Sequence, residues 1–151
     1  MYSHFRENKY EYSFKGDLTY EKVLEYFRSQ GLKLGSGVSE EYIEAVEKII
    51  GFKFPDDYKA YHKLSNGFLE CGMDSNCFSI WPFDRLIEEY NYLPNADKDF
   101  IPISDYLINS HWIGYQKNKN GIYKDYEKTN PIAENFEEFL ELLLIDSDKL
   151  Y

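Results

Sequence analysis

The chain has 151 residues and lacks any apolar run near the ~20 residues of a membrane span, which suits one domain and excludes a membrane-crossing helix. Hydrophobic residues make up 43% and aromatics 19%, supplied mainly by 15 Tyr and 11 Phe, a composition that disordered chains do not have. Seventeen Lys and Arg against 27 Asp and Glu give a net charge of −10, a field that repels phosphate backbones and anionic membranes and attracts a basic partner.

That charge is uneven. Residues 1–37 carry +1, 38–70 carry −3, 71–110 carry −5 and 111–151 carry −3. The start, Met1 to Glu7, lacks the basic patch and apolar stretch of a signal peptide, so a cytoplasmic location is expected. Cys71 and Cys77 have no second pair to complete a zinc set, and His4, His62 and His111 are scattered. Two reduced thiols, no metal and no cofactor are expected.

In chain order, residues 1–16 carry no readable pattern. Asp17 is expected to cap a helix over 18–29, where Tyr20, Val23, Leu24 and Phe27 recur at helical spacing, and Gly31 to stop it. Gly35-Ser36-Gly37 reads as a connector. Ser39 then caps a helix with Glu40 and Glu41 in its first turn and Val38 and Ile43 placed as a hydrophobic staple. Ile43, Val46 and Ile50 form its apolar stripe and Gly51 ends it. Pro55 opens a second helix as its first residue, lined by Tyr58, Tyr61 and Leu64 and closed by Asn66-Gly67.

Strands follow. Phe78 to Trp81 reads as a strand, Pro82-Phe83-Asp84 leads into a helix to about residue 93, and Phe100 to Ser104 is a second strand whose Pro favours an edge or an end. Residues 110–116 and 121–127 resemble a hairpin turning at Lys119-Asn120-Gly121. Asn135 caps the last helix, with Phe136, Phe139, Leu140 and Leu143 facing the core and Glu137, Glu138 and Glu141 facing water. Helices flanking a mostly antiparallel sheet make the class α+β, a single domain.

No catalytic set emerges. His62 and His111 have no readable partner, and Glu88-Glu89 and the Glu137-Glu138-Glu141 cluster sit at the spacing of solvated helix faces. The chain carries no phosphate-binding loop, zinc-protease motif or calcium loop.

Residues 38–68 resemble the opening of a domain of the SUKH superfamily: a short helix ending in Gly51, then Phe52-Lys53-Phe54-Pro55-Asp56-Asp57-Tyr58, then a helix ending in Asn66-Gly67. Phe100 to Ile103, a later hairpin, and Ile132-Ala133-Glu134-Asn135-Phe136-Glu137-Glu138-Phe139-Leu140 continue the resemblance to about residue 145. Residues 1–37 form an extension with one expected helix, before a SUKH-like domain over 38–151. The sequence departs from the family pattern twice. Phe68 stands where a second Gly often follows Asn-Gly, and Asp105 to Ser110 replace a Gly-rich segment.

The resemblance implies a non-enzymatic, bacterial immunity protein that binds and neutralises a toxin domain, commonly a basic nuclease. The alternative it implies is an intracellular adaptor similar to fungal regulators of cell-wall synthesis. Neither involves direct contact with nucleic acid or membrane. Segment 71–110 is the expected contact region, with Asp84, Glu88, Glu89, Asp97, Asp99 and Asp105 as charges and Trp81, Tyr90 and Tyr92 as aromatic anchors.

Overall fold

The computed structural model describes residues 11–151. Helix α1 spans Tyr20–Ser29 and buries Val23, Leu24 and Phe27. Its cap is Thr19, not Asp17: Thr19 is extended, and its hydroxyl accepts the Lys22 N–H at 3.2 Å. Leu18, buried just before it, fixes where the chain turns into the helix.

Helix α2, Glu40–Ile50, starts at Ser39, whose hydroxyl accepts the Tyr42 N–H. It ends at Gly51, left-handed at φ 67°, a conformation that favours glycine. Helix α3 is Asp56–Leu64, so Pro55 precedes it as the cap residue instead of opening its first turn. With no capping side chain on Pro55, the first-turn carboxylate of Asp57 does other work. Its Oδ1 accepts the Tyr58 N–H, and its Oδ2 accepts the N–H groups of Phe136 and Glu137 at 2.8 and 3.1 Å. Those two begin α5, Phe136–Leu144, which Asn135 also caps through the Glu138 N–H. One aspartate therefore ties α3 to α5.

The sheet is antiparallel, in the order β1 (Phe78–Ile80), β2 (Phe100–Tyr106), β3 (His111–Gln116), β4 (Lys119–Lys124). Strand β2 is internal, so of the edge or end position expected from its proline the edge is excluded, and Pro102 lies toward the start of the strand. The proline is tolerated because β1 pairs only with Ser104 to Tyr106, leaving Pro102 beyond its reach, beside an irregularity in the β2–β3 register. The hairpin turns at Lys117-Asn118, not at Asn120-Gly121, which lie within β4. Gly121 serves clearance there: a Cβ at that position would lie 2.9 Å from Pro131 Cβ and 3.1 Å from the Ala133 carbonyl. The chain at 132–133 covers β4 through Ile122 N–H to Ala133 and Ile132 N–H to Ile122.

Helix α4, Phe83–Tyr92, follows Pro82 and buries Phe83, Leu86 and Tyr90. Its first N–H, of Phe83, is taken at 3.0 Å by Asn66 Oδ1 from the end of α3. The same amide oxygen meets His62 Nδ1 at 3.0 Å. His62 is fully buried between Tyr58 and Phe83, and burial holds its imidazole near a pKa of about 3, so it stays neutral in the folded protein.

The segment before residue 38 packs into the same core. Phe27 meets Phe68 edge-on at 4.8 Å, and Leu69 N–H bonds the Lys33 carbonyl. Phe68, the first departure from the family pattern, is thus the ring that receives α1. The α5 carboxylates are less solvated than their spacing suggests: Glu141 accepts the Phe14 N–H at 2.7 Å, and Glu137 accepts the Tyr20 hydroxyl at 3.4 Å.

Candidate partner-binding surface

Helix α4 sorts its charges by face. Arg85 turns inward, its Nη2 donating to Asp105 Oδ2 at 2.9 Å and its guanidinium lying 4.4 Å from the centre of the Trp81 ring. Asp105, 1% exposed, also accepts the Trp81 indole N–H at 3.0 Å, the Ser79 hydroxyl and the Asn109 N–H at 2.6 Å. Both carboxylate oxygens are thereby satisfied and the charge is paired, as a buried carboxylate requires. Asn109 closes a turn in which Leu107, Ile108 and Asn109 all have positive φ, between 47° and 66°. The second departure from the family pattern thus places side chains in backbone that glycine would adopt more cheaply, and Asp105 anchors that turn.

The acids of α4 itself are unpaired. Asp84 and Glu88 are exposed and Glu89 half-buried, and none forms an ion pair among the described residues. Asp84 and Glu88 line an open groove of about 440 Å³ with Ile87, Asn91, Tyr92 and Tyr42 of α2, and no basic side chain lines it. Tyr92 is 82% exposed and Tyr42 41%. An aromatic pair beside unpaired carboxylates offers a basic partner both apolar area and charge.

The nine expected contact residues therefore divide. Asp84, Glu88 and Tyr92 share this groove, with Glu89 on the same helix. Asp97 lies beyond the end of α4, lining a separate recess with Trp112 and Asp125, and Asp99 is exposed just before β2. Trp81, Tyr90 and Asp105 are corrected: they lie inside the fold and offer no surface in this structure. Trp81 is fully buried and meets Trp112 edge-on at 5.3 Å; Tyr90 is 6% exposed and donates its hydroxyl to the Lys98 carbonyl. Tyr42 escaped the sequence reading, although a signal existed. Tyr42 and Ile49, seven positions apart on one face of α2, lie off its core stripe, and both are exposed.

Of the histidines, His62 is core and His111 Nε2 meets the Leu150 carbonyl at 2.9 Å; His4 lies outside the described residues. Cys71 and Cys77 are free thiols, and among the described residues no three His, Cys, Asp or Glu side chains gather as a metal site would need. No helix among them is long and apolar enough to cross a membrane.

No curated protein matches the chain. A family model does, over residues 37–142, from the end of the Gly35-Ser36-Gly37 connector into α5. With most of its length matched, the chain belongs to the SMI1 / KNR4 family (SUKH-1).

Proposed function

We propose that this protein is a cytoplasmic bacterial immunity protein that neutralises a basic toxin domain, a nuclease, by stoichiometric binding and without catalysis. Family membership supports the class of function. The observation that carries the finer reading is the sorting of charge on α4: its one base is spent on Asp105, while Asp84 and Glu88 are exposed and, like half-buried Glu89, form no ion pair among the described residues. A nuclease must present a basic surface to hold phosphates, and an acidic groove with two exposed tyrosines complements it in sign. Steered association of this kind is fast and slows as salt rises.

Co-expression tests the reading. The gene neighbouring this one is expressed alone and then with the present protein in a susceptible host. Toxicity alone, rescue on co-expression and a one-to-one complex are the expected results. A set of resident cellular proteins as partners, none of them toxic, would overturn it in favour of the adaptor.

A further inference from the structure

One row across the sheet carries two carboxylates and completes only one of them with a base. The register sets Ser79, Asp105 and Trp112 side by side on β1, β2 and β3. The Asp125 N–H bonds the Trp112 carbonyl at 2.9 Å, one position past the end of β4, and extends the Ile113–Lys124 register. Side chains opposite one another in a ladder share a face, so Trp112 stands in this row between Asp105 and Asp125. On the Asp105 side the arrangement is complete. Arg85 donates to the carboxylate, and its guanidinium lies 4.4 Å from the centre of the Trp81 ring, which meets Trp112 edge-on.

On the Asp125 side there is a recess of about 440 Å³. Trp112 and Phe100 line it from the sheet, Asp97 from the segment after α4, and Asp125 and Lys128 from the segment after β4. Asp125 is half-buried and Asp97 exposed, and neither forms an ion pair among the described residues. Lys128, the one base of the recess, has its Nζ 5.5 Å from the centre of the Phe100 ring and pairs with neither acid. The Trp112 indole is half-buried, and its N–H donates to Asn109 Oδ1 at 2.9 Å, which fixes the ring. We infer that this recess takes an arginine side chain of a protein partner, its guanidinium on Trp112 and Asp125 as that of Arg85 is on Trp81 and Asp105. A planar guanidinium stacks on an indole and pairs with a carboxylate through the same group, which suits it better than an ammonium. The volume lies in the ~300–1,000 Å³ range of sites for small groups, enough for one long side chain. A second copy of this chain, with its net charge of −10, would bring the wrong sign. The recess shares no lining residue with the groove on α4, and the inference does not require the partner to be a toxin.

The test is an NMR titration of the full chain, read at the Trp112 indole N–H, with N-acetyl-arginine amide and in parallel with its lysine and citrulline analogues. Trp112→Phe identifies the resonance. The arginine probe should give a saturable shift with a Kd on the order of 1–10 mM that weakens with salt. The lysine probe should bind at least about threefold more weakly, and the uncharged citrulline probe should not saturate. Asp125→Asn should weaken the arginine probe at least about threefold, and Lys128→Gln should strengthen it about twofold. Glu21→Gln, on the exposed side of α1, should leave it unchanged. Asp125→Asn keeps the shape of a side chain that makes no ion pair, and the rest of the spectrum reports whether the fold persists. Equal binding of the lysine or citrulline probe, no saturation at tens of millimolar arginine probe, or binding that survives Asp125→Asn undiminished would overturn the inference.

Discussion

The two faces of α4 treat the same kind of residue in opposite ways. Inside, Asp105 accepts four hydrogen bonds, one of them from Arg85, and holds Trp81, Ser79 and the β2–β3 turn in place. Outside, Asp84 and Glu88 have no ion-pair partner among the described residues and border two exposed tyrosines. The buried carboxylate is specific to the fold; the exposed ones cost folding little and set the field a partner meets. Net charge alone hides this division, because Arg85 and Asp105 cancel internally while the outer acids add.

The comparison breaks most severely at Asp105. Asp105→Ala strips every acceptor from the network and leaves Arg85 without its carboxylate; we expect a loss of ~3–5 kcal/mol in denaturant unfolding. The apolar interior is next. Phe27→Ala removes a fully buried ring packed on Phe68 and should cost about 3 kcal/mol, showing that the segment before the family match stabilises the fold. A terminal arm without a role in the core would lose nothing.

A second buried acid sharpens the comparison through pH. Asp74 has no ion-pair partner among the described residues; burial raises its pKa from 3.8 to about 6, although its carboxylate accepts the N–H groups of Asn76 and Phe78. A raised carboxylate contributes stability below pH 3.8 that is lost as pH rises through 6. Asp74→Asn keeps an acceptor oxygen and carries no charge, so it should stabilise by roughly 1–3 kcal/mol at pH 7 and change little at pH 4. The acid sensitivity from His62 is common to both proteins and cancels from their difference. Smallest of all is the outer face: Asp84→Lys/Glu88→Lys should move stability by less than ~0.5 kcal/mol in thermal melts.

Local chemistry was legible in the chain. Ser39, Gly51 and Asn135 cap helices through partners within four residues, so spacing finds them. Asp57, Asn66 and Asp105 also organise helices or turns, but the partners of Asp57 in α5 are 79 and 80 residues away and Arg85 is 20 from Asp105. No local pattern encodes such distances. Asp105 therefore looked like one more acid in an acidic stretch, and Trp81 like an anchor. Asn120-Gly121 misled for a related reason: its glycine answers to Pro131, not to a turn. The groove itself was half legible, since α4's acids were visible while Tyr42 comes from a helix some forty residues earlier.

The central claim is that the outer face of α4 recruits a basic partner. The most direct test is affinity capture from the native host with the wild-type protein and with Asp84→Lys/Glu88→Lys, followed by association kinetics at rising salt. The account predicts one basic protein at equal stoichiometry, toxic alone, whose association slows with salt and slows at least about tenfold in the variant. The same partner captured at the same rate by both proteins would contradict it.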